Sequence, residues 1–314
     1  MPHNDSGKSA GGIIAGVAIT GAAIAVSNFL PFTCFFILPL SILYCRIKFG
    51  RKTGTAITLA ALILVSIVSR GVLLDIFFFF GLIFLGYTMG ESFERKFSVE
   101  KTVLYSAGSV LGAFGMGLFF YSVQSGSGIV QLVTEHVGRN LEFSLKLYEN
   151  MGMSKENALL LSENFDRILH DMVRLIPSIV VALTLFVVWM NLLFSRSLLA
   201  VSRLFNPDFG FLNRWKAPEP LVWVAIACGL MLLLPGGGLR LIGLNGLIAL
   251  MPIYFFQGIA IVAFYFEKKQ FPRLLKVFIY TIIVIQQVLL FVIIGLGFFD
   301  VWLNFRKLDR KKAN

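Results

Sequence analysis

The sequence predicts an all-α, polytopic membrane helical bundle of eight or nine transmembrane helices with an extramembrane amphipathic helical hairpin. Three observations predict it. The 314 residues are 57% hydrophobic, with a mean hydropathy of +0.81 and only 14% charged residues, whereas a soluble domain carries about 25%. Apolar runs recur near the roughly 17–25 residues that cross a bilayer. One segment differs in kind: glutamate returns there every seventh residue.

The net charge of +11 is carried by short clusters between apolar runs, including Arg46/Lys48/Arg51/Lys52, Arg95/Lys96/Lys101 and Lys268/Lys269/Arg273/Lys276. The positive-inside bias produces such juxtamembrane clusters. With no basic face on a soluble domain, nucleic acid is excluded as a partner. Cys34, Cys45 and Cys228 lie in or beside apolar runs without disulfide or zinc spacing, and read as small buried hydrophobes.

Residues 1–11 form a polar leader, and residues 12–123 an N-terminal five-helix membrane region. Its runs are 13–30, 32–47, 54–69, 72–90 and 102–123, with Pro31 separating the first two and Arg70-Gly71 the third from the fourth. The hairpin occupies 124–174. Glu135, Glu142, Glu149, Glu156 and Glu163 hold one polar stripe, and Arg139, Lys146 and Arg167 each follow a glutamate by four positions, the order that favours helical ion pairs. Val130, Val133, Val137 and Leu141 begin the opposite, apolar stripe. Gly152 ends the first arm and Ser154 caps the second. Seven acidic against four basic residues over 130–172 make the hairpin acidic.

The C-terminal membrane region spans 175–300, and a basic tail covers 301–314. The region contains an apolar run at 175–194, a basic and aromatic linker at 196–216, and runs at 221–234, 239–266 and 277–299. With the N-terminus inside, the basic loops fall inside and the acidic hairpin outside. The C-terminal end conflicts with that rule. Two basic flanks bracket a single run of about 23 residues, enough for one crossing. Either the 239–266 run is a broken or re-entrant pair near Pro252, or one basic flank lies outside.

Polar residues at membrane depth are costly without partners. Asn28, Asp75, Asn191, Asn245 and Gln257 are therefore candidates for lining a ligand cavity, with interhelical packing as the alternative; Gln286 and Gln287 belong to the same polar set. Gly12/Gly16, Gly86/Gly90 and Gly108/Gly112 are GxxxG pairs that allow close helix packing. They serve either packing within the chain or docking of another membrane subunit, the latter most attractive on the first helix. His136 and His170 flank the hairpin turn beside Glu135 and Asp171, but their wheel positions diverge, so they read as solvated and no metal site is expected. No phosphate loop, HExxH or GxSxG occurs. Neither an enzyme nor a cofactor is expected.

Trp215-Lys-Ala-Pro218, Asn245, Tyr254-Phe-Phe-Gln257-Gly258 and Gly297-Phe-Phe-Asp300-Val-Trp302-Leu-Asn-Phe-Arg306-Lys307 resemble the YybS-type family of predicted bacterial membrane proteins. The resemblance implies a multi-pass protein of a bacterial inner or plasma membrane. A broken first helix, Pro39 in the second and the basic turn 46–54 are similar to the substrate-binding subunits of energy-coupling-factor vitamin transporters and to MreD-type proteins. In those transporter subunits small residues on the first helix dock a coupling subunit, and Gly12 and Gly16 match them here. Two functions follow as expectations: a transporter-like subunit binding a small molecule, or a membrane scaffold or assembly protein. The lipid bilayer is the common partner, and a membrane protein would dock through the first helix or the 124–174 hairpin.

Overall fold

A computed structural model describes residues 5–68, 73–150 and 164–307. Among them every regular element is helical. The α-helices are α1 (Asp5–Phe29), α2 (Cys34–Phe49), α3 (Arg51–Val68), α4 (Leu73–Glu94), α5 (Val99–Ser125), α6 (Ile129–Asn150), α7 (Phe165–Val201), α8 (Pro220–Leu233), α9 (Gly237–Lys268), α10 (Arg273–Ile285) and α11 (Gln287–Leu303). They form two compact units. The first takes the chain up to Phe114, Leu183–Pro218 and the chain from Pro252 on; the second takes Gly115–Ala182 and Glu219–Met251.

Ile76–Glu94, Val99–Ser125, Phe165–Val201 and Gly237–Lys268 are long and apolar enough to cross a membrane, and α10 with α11 adds a bent pair. The eight or nine expected spans exceed this number partly because α2 and α8 are only 16 and 14 residues long. The return arm of the hairpin and the sixth apolar run, separated at 174/175 in the sequence reading, are one 37-residue helix, α7. At 1.5 Å per residue it is about 55 Å long, well beyond the roughly 30 Å hydrocarbon core. Pro177 does not break it, nor does Pro252 break α9. Prolines are tolerated in membrane helices because neighbouring groups satisfy the freed carbonyls.

Glycine sets how the first unit packs. A Cβ at Gly86 would strike the Pro39 carbonyl, and one at Gly90 would lie 2.7 Å from Arg46 Cδ. Gly12 faces Phe49 and Thr53, and Gly16 faces Ile57. These four glycines therefore seat α1 and α4 on α2 and α3, within the chain. Gly108 and Gly112 differ: among the described residues no neighbouring helix comes within 4 Å of an added Cβ. The apolar core of this unit includes Leu38, Ile42, Ile83, Met89, Val188 and Leu192. Trp189 extends it by stacking on Phe256, centroids 5.1 Å apart, and meeting Trp215 edge-on at 4.5 Å.

In the second unit α6 packs on α7, with Gly138 against Leu169. Gly243 and Gly246 of α9 meet Cys228 of α8. Arg139 donates to the Glu135 backbone carbonyl at 3.3 Å, a local bond in place of the expected ion pair. The His136 ring meets Asn140 at 3.0 Å. Gly152, Ser154, Glu156, Glu163 and Arg70 lie outside the described residues.

Of the two expected alternatives for the C-terminal conflict, the break near Pro252 is not found. Helix α9 is continuous, and the break falls in the 277–299 run: α10 and α11 meet at Gln286 with a bend of 103°. Gln286 is extended there (φ −94°, ψ 106°). Asn213 ties both ends of the pair. Its side-chain amide donates to Glu267, before α10, and its carbonyl accepts from Arg306 Nη1, after α11, at 2.9 Å. Asn213 thus contacts the chain both before α10 and after α11.

Candidate functional site

The polar residues of the first unit gather in two buried clusters. The first is built on the C-terminal turn. Asn304 adopts a left-handed conformation (φ 40°) and caps α11, a role that asparagine tolerates better than most residues. The turn brings Phe305 N to Asp300 Oδ1 at 3.0 Å and Arg306 Nη2 to Asp300 Oδ2 at 2.7 Å. Both members of this ion pair have fully buried side chains. Arg306 Nη1 donates to the carbonyls of Asn213 and Trp215, each at 2.9 Å. Gln257 of α9 donates to Asp300 Oδ2 at 3.3 Å and accepts from Ala217 N at 3.2 Å. The cluster fastens linker, α9 and tail together.

The second cluster surrounds Arg46 at the end of α2. Its buried guanidinium makes a forked contact to Glu94, Nε–Oε1 3.0 Å and Nη2–Oε2 2.9 Å, and lies 4.1 Å from the Tyr87 ring centroid. Glu91 accepts from Arg95, and Arg51 approaches it at 3.6 Å. Such planar forks suit carboxylates and keep a charge tolerable at depth. Gly54 and Gly90 leave the room that this side chain fills. Reading Arg46 as one more juxtamembrane cation missed it. The available signal was Glu91 and Glu94, two carboxylates about one turn apart at the end of an otherwise apolar run.

The candidate ligand residues go to different places. Asn191 is buried and donates to the carbonyls of Phe35 and Val187, at 2.9 and 2.8 Å. Gln257 belongs to the Asp300 cluster, and the two share no hydrogen-bond partner. Asn245 lies in the second unit, donating to Arg174 O at 3.2 Å and Leu241 O at 2.9 Å. Asn28 and Asp75 sit on α1 and α4, with side chains outside the described set. Asp300, Arg306 and Asn213, which carry the strongest geometry, were absent from the candidates. A half-open cavity of about 290 Å³ in the first unit is lined by Glu100, Asp208, Arg214 and Trp215 among others. Trp215 Nε1 donates to Glu100 at 2.8 Å.

Apolar helices joined through buried ion pairs and glycine contacts define the class: a polytopic helical membrane protein. The chain belongs to the family described as predicted membrane protein (DUF2232), which it matches over residues 17–301. It is 26% identical over 290 residues to the uncharacterized protein YybS of Bacillus subtilis (strain 168), covering 86% of this chain and 87% of that one. No solved structure matches.

Proposed function

We propose that this protein is a non-enzymatic scaffold or assembly protein of a bacterial cell membrane, which holds a partner through the α6 arm of its hairpin. One observation carries the reading. Helix α6 is polar over much of its surface yet exposes Ile129, Phe143 and Leu147 along one side, with Phe143 62% accessible. Apolar anchors at helical spacing are what a groove on a partner takes up. The acidic stripe favours a groove with a basic rim. Replacing Phe143 and Leu147 together by serine is expected to remove the larger species formed by the full-length protein, read by blue native electrophoresis of solubilised membranes. An unchanged band pattern overturns the reading. The alternative, a small-molecule-binding transporter subunit, has less support: Asn191 and Asn245 are held by backbone carbonyls and Gln257 by the Asp300 cluster, while Gly12 and Gly16 pack internally.

The same reading includes an orientation. Eight helices cross (α1–α5 and α7–α9), α10 and α11 dip into one leaflet and return, and both termini lie on the cytoplasmic side. Contacts at one end support it: Gly12 with Phe49, Arg46 with Glu94, Trp215 with Glu100 and Asn213 with Arg306. The bend of 103° between α10 and α11, with Asn213 bonded to Glu267 before the pair and to Arg306 after it, supports the re-entrant path. Single cysteines at Lys52, Ser125 and Lys307, in a chain cleared of its native cysteines, test this with a membrane-impermeant maleimide. Lys52→Cys and Lys307→Cys are expected to react from one side and Ser125→Cys from the other. Reaction of Lys307→Cys together with Ser125→Cys overturns the re-entrant path.

A further inference from the structure

The first unit holds a second concave feature, a groove of about 280 Å³ between the end of α9, α11 and the residues that follow it. Ile261, Val262 and Leu296 line it, Phe271 and Phe305 join them, and Lys269 is its one charged residue. Tyr265 also lines it, but its hydroxyl already donates to Phe305 O at 2.7 Å. That leaves the Lys269 ammonium as the donor free to meet a ligand at this site.

We propose that this groove binds one chain of an anionic phospholipid, with the headgroup phosphate resting on Lys269. Three features fix the occupant. The lining is apolar except for one cation, which matches a chain ending in an anion. The groove lies below the roughly 300–1,000 Å³ of pockets that enclose a whole drug-sized ligand, so it holds a chain segment and leaves the headgroup outside. Residues 267–276 contain four cations, Lys268, Lys269, Arg273 and Lys276, against one carboxylate, and that one, Glu267, accepts from Asn213. On the orientation proposed above, on which this step rests, the groove is cytoplasmic; basic pockets between membrane helices on that side recognise anionic headgroups, and the cations nearby raise the local concentration of such lipids. The aromatic side chains of Phe271 and Phe305 cover the buried part of the chain.

The test uses the delipidated full-length protein in detergent, read by native mass spectrometry with phosphatidylglycerol, phosphatidylcholine and inorganic phosphate in parallel. One phosphatidylglycerol is expected to be retained in preference to phosphatidylcholine by roughly five-fold, the factor for one lysine near an anionic headgroup. Lys269→Glu, a change at an exposed position, is expected to erase that preference. Leu296→Trp, which fills the groove, is expected to reduce retention of both lipids. Inorganic phosphate at millimolar concentration is expected not to displace the lipid. Equal retention of the two lipids, a preference that survives Lys269→Glu, or displacement by phosphate alone overturns the proposal. So does a change of oligomeric state with Leu296→Trp at unchanged lipid load, because the groove is then an interface between copies.

Discussion

Replacing Arg306 by methionine is expected to lower stability by about 3–5 kcal/mol, the loss that follows when one member of a buried ion pair is removed and its partner charge stays behind. Asp300 would keep its bonds from Gln257 and the Phe305 amide but lose its counter-ion, while the Asn213 and Trp215 carbonyls would lose their donor. Unfolding followed by tryptophan fluorescence in detergent measures the loss. Hydrogen exchange should also rise at 213–217, since the linker is held there through Arg306 and Gln257. The double variant Asp300→Leu/Arg306→Met is expected to be more stable than Arg306→Met, because it leaves no uncompensated charge. Unchanged stability of Arg306→Met would show that the tail does not fasten the linker.

The second large effect is expected at Gly297 and Gly258. A Cβ on Gly297 would meet the Tyr254 carbonyl and lie 2.9 Å from Gly258 N; one on Gly258 would meet the Ile293 carbonyl, with Ile293 Cγ2 at 2.7 Å. These neighbours are largely backbone and cannot rotate away as the Ile57 side chain can at Gly16. Gly297→Ala is therefore expected to cost at least the about 1–3 kcal/mol typical of overpacking, seen as a lower unfolding temperature and a smaller monodisperse fraction on size exclusion. Gly112→Ala is the contrast. It meets open space, and it should be neutral or gain up to about 1 kcal/mol of helix propensity. Equal behaviour of the two variants would mean that α9 and α11 do not pack backbone to backbone.

The glycine pairs mark where sequence information stops. Gly12/Gly16, Gly86/Gly90 and Gly108/Gly112 have the same spacing, yet the first two pairs meet neighbouring helices and the third meets none among the described residues. Spacing reports which residues share a helix face, and the partner of that face comes from another part of the chain. Arg46 teaches the same lesson with charge. In sequence it belongs to a basic turn; in the fold it meets Glu94, 48 residues away, in space left by Gly54 and Gly90. Gln257 was legible as a polar residue in an apolar run, but its partners Asp300 and Ala217 were not.

The sequence by itself determined that this is a membrane protein of apolar helices with an acidic amphipathic helix after the fifth run, because hydropathy and period are local properties that lipid and water read directly. It also exposed a conflict at the C-terminus through two basic flanks around one apolar run. Only the tertiary structure showed where the helical run breaks, at Gln286 and not at Pro252. The 277–299 run has neither the proline nor the charge that marks a break. The bend at Gln286 shows in the two bonds of Asn213, to Glu267 before α10 and to Arg306 after α11. Those bonds join positions 54 and 93 residues apart, and contacts at such separations exist only once the chain has folded.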